Sequence, residues 1–69
     1  MDIRWEDGFE IRAGVRGNEV TISANREGML SLANILLSLA EESAGAHVHL
    51  DEHNSLEDDS CELILERVE

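Results

Sequence analysis

Asn25-Arg-Glu-Gly-Met-Leu-Ser-Leu-Ala-Asn-Ile-Leu-Leu-Ser-Leu-Ala-Glu-Glu-Ser-Ala44 is the stretch around which the rest of the chain is organised. It contains no proline, and strong helix formers (Leu, Ala, Met, Glu) fill its interior. Asn25 suits an N-cap, and Glu27 stands in the first turn, where the macrodipole favours a carboxylate. Gly45 follows where a C′ glycine would stop a helix. At about 100° per residue, Glu27, Ser31, Asn34, Ser38, Glu41 and Glu42 fall within one arc of roughly 100°. Apolar residues cover the remaining circumference, which is wider than the stripe of a little over 100° that an ordinary core-facing helix needs. Ile35 and Leu39 on one flank, and Leu30 and Leu37 on the other, exceed what one small sheet covers. Such a helix is either sunk deeply into its own domain or turns a flank towards a partner.

On both sides of this helix the hydrophobic period changes from 3.6 to 2. Phe9, Ile11, Ala13 and Val15 alternate with Glu10, Arg12, Gly14 and Arg16. Gly17-Asn18 is a two-residue hairpin signature, and alternation resumes with Val20, Ile22 and Ala24. Residues 9–24 therefore read as an antiparallel hairpin, preceded by an Asp7-Gly8 turn. Beyond the helix, residues 46–50 form a short strand with Val48 and Leu50 on one face and His47 and His49 on the other. Residues 60–68 form the last strand, with Cys61, Leu63 and Leu65 facing the helix and Ile64 and Val68 on the opposite face. The fold expected is α+β, in the order β-β-α-β-β: a four-stranded, mainly antiparallel sheet with one long helix packed on one face. Residues 1–69 make a single domain, because so short a chain has no room for a second core.

Composition narrows the function. Sixteen acidic against five basic side chains give a formal net charge of −11. A field of that sign repels phosphate backbones and anionic membrane surfaces, and draws a basic partner inward. The arginines are scattered, lysine is absent, and Trp5 and Phe9 are the only aromatics. Neither nucleic acid nor a membrane is thus an expected partner. Cys61 is the only cysteine, which fits a reducing compartment. The Met1–Glu6 segment lacks a basic run followed by an apolar one, and the apolar part of the helix is too short to span a bilayer. A cytoplasmic location is the expectation.

The candidate chemical constellations each fall short of a site. His47 and His49, two apart on a strand, share a face and could ligate zinc, but a closed site needs two further ligands. Asp51 to Glu62 has the length of a calcium loop, yet Leu56 replaces the turn glycine and His53 the third ligand. Cys61 is placed towards the core, where a thiol behaves as a small hydrophobe. No glycine-rich phosphate loop or nucleophile–base spacing is present. No catalytic residue, metal ligand or cofactor is expected, and the chain reads as a non-enzyme. What remains is the run Asp51–Asp59, which joins two strands that two residues could have joined. Long loops in compact domains tend to carry function. It is either a solvated loop kept acidic for solubility or a docking edge for a cationic protein, with Asp51, Glu52, Glu57, Asp58 and Asp59 as the candidate contacts.

Four phrases within residues 25–68 add a family resemblance. Asn25-Arg-Glu-Gly-Met-Leu-Ser-Leu-Ala-Asn, His47-Val-His-Leu-Asp-Glu, Ser55-Leu-Glu and Ser60-Cys-Glu-Leu-Ile-Leu-Glu-Arg resemble the thirty-second immunity-protein family of bacterial polymorphic toxin systems. The first hairpin contributes little to the likeness. The resemblance implies a small cytoplasmic protein that binds and neutralises a cognate toxin, and it transfers no established contact residue. On that basis the expected function is toxin neutralisation by stoichiometric binding, with a basic toxin as partner. The alternative is a small acidic module that homodimerises through the helix flank or a sheet edge, without a toxin.

Overall fold

The computed structural model describes all 69 residues. Its elements are β1 (Ile11–Arg16), β2 (Glu19–Ala24), α1 (Arg26–Ala40), β3 (His47–Leu50) and β4 (Leu63–Glu66). The one helix and four strands of the expected α+β fold are present in the expected order. The strands form two separate two-stranded antiparallel ladders, β1–β2 and β3–β4, in place of one continuous sheet. The cause lies in the segment that runs along the free edge of β1. Glu57 N–H donates to Ile11 O at 2.8 Å and Cys61 N–H donates to Ala13 O at 3.0 Å. Between these bonds the backbone turns, with Ser60 N–H on Glu57 O and Asp59 in the left-handed region at φ 70°. A turning segment satisfies the edge without making a regular ladder.

β1–β2 pairs from Ile11↔Ala24 to Arg16↔Glu19, closed by Gly17 at φ 61° and Asn18. β3–β4 pairs from His47↔Glu66 to Leu50↔Leu63. The two backbone bonds Gly45 N–H to Arg67 O and Arg67 N–H to Ala46 O continue that pairing outward. Ile11, Ala13, Val48, Leu50 and Leu56 meet Ile35 and Leu39 of the helix in one buried cluster. Leu63, Leu65 and Cys61 pack against that cluster, whereas Ile64 and Val68 face out, in the expected phase. Phe9 lies before the strand and stacks on Trp5 with ring centroids 4.6 Å apart. Val15 and Val20, on the helix-facing side by register, are exposed because α1 crosses only the base of the hairpin, where Gly28 meets Ile11 and Ala24.

The start of α1 is fixed by one side chain. Asn25 Oδ1 accepts from the N–H groups of Gly28 (2.7 Å) and Glu10 (3.0 Å), and its Nδ2 donates to Gly8 O. The same residue therefore caps the helix and clasps the turn that leads into β1. Asn25→Ala is expected to cost about 2 kcal/mol, the loss of a cap plus tertiary hydrogen bonds. Asn25→Asp, which keeps the acceptor and loses the donor, should cost about half as much. Urea unfolding midpoints check this, and equal losses in the two variants would refute the double role.

The far end departs from expectation. Gly45 is not the C′ residue: α1 stops at Ala40 with Glu41 as C-cap. The last carbonyls are held by a tertiary cation, since Arg67 Nη1 donates to Ala40 O (2.7 Å) and Glu42 O (2.6 Å). A guanidinium here also complements the negative end of the helix dipole. Gly45, at φ 94°, turns the chain into β3 instead.

The rotation of the helix is the least anticipated feature. Gly28, Ser31, Ile35 and Leu39 form its buried side. Ser31 is fully buried, and its Oγ accepts the Glu6 N–H at 2.9 Å. Asn34 Nδ2 donates to Arg4 O at 2.9 Å. The irregular N-terminal segment thus covers much of the polar arc. The opposite side, carrying Met29, Leu30, Leu36 and Leu37, is left to solvent.

Candidate functional site: the docked acidic segment

The segment between β3 and β4 is a built structure rather than a slack loop. Leu50 enters the core at the end of β3, and Asp51 then starts a tight turn. Its carboxylate accepts the N–H groups of His53 (2.9 Å) and Asn54 (3.1 Å). Its carbonyl accepts those of Ser55 (3.0 Å) and Leu56 (2.8 Å). Asn54 returns the clasp, accepting from Asp51 N–H and donating to His49 O. Such side-chain-to-backbone bonds are the reason Asp and Asn build turns. Leu56, in the middle of this acidic run, is buried in the main core and pins the segment to the body.

Beyond Leu56 the backbone docks on β1 through the bonds to Ile11 and Ala13, and Ser60 Oγ accepts the Ala13 N–H at 3.2 Å. Arg12 Nη1 donates to the carbonyl of Asp58 at 2.6 Å. This cation thus serves the backbone and leaves the carboxylates around it unpaired.

The structure places all five expected contact residues on this one segment, with unequal freedom. Asp51 is occupied in the turn. Glu52 accepts the Asp59 N–H at 3.2 Å and lies 3.9 Å from His53 Nε2. Glu57, Asp58 and Asp59 take part in none of the ion pairs, which involve Glu6, Glu27, Glu62 and Glu52. Three uncommitted carboxylates on an anchored backbone give a fixed negative edge. What sequence reasoning missed was the support: Arg12 beneath Asp58, Ser60 on Ala13, and Leu56 as the anchor. Only Leu56 left a signal, as the lone apolar residue of an acidic run.

His47 and His49 lie on β3, outside this segment. His47 Nδ1–H donates to Gly45 O (3.0 Å) and His49 Nδ1–H donates to Glu62 Oε2 (3.2 Å), with the two rings edge to face at 5.0 Å. No group of three or more His, Cys, Asp or Glu side chains is arranged to hold a metal ion. Cys61 is half-buried against the core. No helix is long and apolar enough to cross a membrane.

The family model described as Immunity protein 32 matches residues 19–68, from β2 through β4. The chain belongs to the Immunity protein 32 family. The match takes in the helix-opening phrase, the residues of the acidic segment and the β3–β4 ladder. It begins at the first residue of β2 and leaves out β1 and the N-terminal segment. No curated protein and no solved structure shows significant similarity to the chain.

Proposed function

We propose that this chain is an immunity protein that neutralises a cognate toxin by stoichiometric binding in the bacterial cytoplasm. In this reading its docked acidic edge meets a basic patch on that toxin. Family membership supports the general role. The observation that carries the specific one is the anchoring of Asp51–Asp59 by Leu56 and by the β1 edge. A fixed row of carboxylates loses less conformational entropy on binding than a slack loop would. Glu57, Asp58 and Asp59 supply the steering charges, while Asp51 and Glu52 hold the edge in shape and lend their field. Exposed charge pairs contribute modestly to affinity, so adjacent apolar groups supply the contact core. The mechanism is stoichiometric binding, and it requires neither a cofactor nor a catalytic residue.

The test is co-expression with the product of the neighbouring toxin gene. Growth is expected in the presence of this chain and arrest in its absence; a product that is harmless alone, or toxic beside this chain, defeats the reading. Changing Glu57, Asp58 and Asp59 together to Gln, Asn and Asn is expected to slow association about tenfold or more at low salt and to flatten its salt dependence. Unfolding midpoints should stay near the parent's, because these side chains support nothing in the fold. Stopped-flow association rates at two salt concentrations check this, and unchanged rates would move the interface elsewhere.

A further inference from the structure

The exposed side of α1 is apolar along its length. Met29, Leu30, Ala33, Leu36, Leu37 and Ala40 are all exposed, with Leu36 at 54 % and Leu37 at 68 %. At about 100° per residue they occupy an arc of roughly 120° on the side opposite Gly28, Ser31, Ile35 and Leu39. No carboxylate interrupts this arc, in a chain with sixteen of them. Contiguous apolar surface of this kind marks an interaction site. A cationic toxin drawn to carboxylates would find none here to pair with, so the arc calls for an apolar partner surface.

We infer that this face is covered by the same face of a second copy, in an antiparallel helix pair. The first argument is spacing. Met29, Ala33, Leu36 and Ala40 follow at intervals of four, three and four, the seam of a two-helix coil. Large and small residues alternate along it. Antiparallel self-pairing sets Met29 beside the partner's Ala40 and Ala33 beside the partner's Leu36, so that each large side chain meets a small one. Parallel pairing sets Leu36 against Leu36 and Ala33 against Ala33, which crowds one layer and leaves the next underfilled.

The second argument is charge. Arg26, at the N-terminal end of the same arc, is exposed, and its ion pair is the solvent-facing one with Glu27. The other end of the helix carries Glu41 and Glu42, while Arg67 there is already engaged on the Ala40 and Glu42 carbonyls. Antiparallel pairing brings each Arg26 to the end of the partner helix that carries Glu41 and Glu42, whereas parallel pairing puts like ends together. The acidic segment is bonded to β1 and not to this face, so a dimer presents two such edges. The pairing does not depend on the toxin reading.

Sedimentation equilibrium of the pure chain at physiological salt tests it. The expected result is a concentration-dependent species of twice the 7.7 kDa chain mass. Leu36→Glu should abolish that species, and Arg26→Glu should weaken it about tenfold, with Glu41→Arg restoring pairing in the Arg26→Glu background. Far-UV circular dichroism should be unchanged in each variant, because the replaced side chains are exposed. Orientation is read by bismaleimide cross-linking in a Cys61→Ser background, where Met29→Cys mixed with Ala40→Cys should couple and Ala40→Cys alone should not. A parent that stays monomeric overturns the inference and assigns the face to another partner, as does a folded Leu36→Glu variant that still dimerises. Coupling of Ala40→Cys with itself overturns the antiparallel arrangement.

Discussion

A Gly28→Ala variant is expected to lose about 2–3 kcal/mol of stability, although helix propensity alone favours alanine over glycine by about 1 kcal/mol. Gly28 sits in the first turn of α1, where the helix crosses the base of the first hairpin. A Cβ there would collide with the backbone carbonyl of Glu10, and would stand 2.9 Å from the Ala24 Cβ and 3.0 Å from Ile11 Cγ1. The Glu10 carbonyl cannot yield freely, because it accepts the Asn25 N–H at 3.1 Å. Relief therefore requires the helix to lift from Ile11, a fully buried residue of the core. Gly14→Ala supplies the control. Nothing lies within 4 Å of a Cβ at that strand position, so the change should be neutral or stabilising by up to about 1 kcal/mol. Thermal and urea unfolding of the two variants check the contrast, and a stabilised Gly28→Ala would mean that the helix does not cross the hairpin this closely.

Leu56→Ala is expected to cost about 3 kcal/mol, within the range for truncating a buried leucine. In a domain of this size that corresponds to a fall of roughly 12–24 °C in the melting temperature. Small domains have only a few kcal/mol in reserve, so a substantial unfolded fraction should appear at growth temperature. The consequence for binding separates this variant from any other core truncation. Leu56 is what fixes the acidic edge, and without it Asp51–Asp59 keeps its charge but loses its position. Association measured well below the melting temperature should then retain its salt dependence, with the complex dissociating faster. Ile35→Ala, a truncation on the helix side of the same core that leaves the Leu56 side chain in place, should lower the melting temperature comparably and leave the dissociation rate nearer the parent's. If the two variants behave alike in binding, the anchored edge is not the contact surface.

Charge, composition and local periodicity made much of the fold legible. The Gly17-Asn18 hairpin, the phases of β3 and β4, and the Asn25 start of the helix are all written in short-range patterns. Each depends on neighbours within a few residues, where propensity and turn chemistry decide the outcome. The acidic run was legible as a charged segment that carries five carboxylates. Its rigidity was not. The bonds that anchor it join residues more than forty positions apart, such as Ser60 to Ala13 and Asp58 to Arg12. No local pattern encodes such a pairing.

The sequence by itself determined the elements, their order and the net acidic charge of the molecule, because those follow from backbone preferences and from summed charge. Only the tertiary structure decided how the helix is rotated, and the reason lies in hydrogen bonding. Ser31 and Asn34 find partners in the backbone of residues 4–6, so part of the polar arc turns inward, where its groups are satisfied. The apolar residues opposite are thereby turned to solvent. A helical wheel drawn from the sequence shows that α1 has more apolar surface than one small sheet covers. It does not show that the excess would gather on a single outward face.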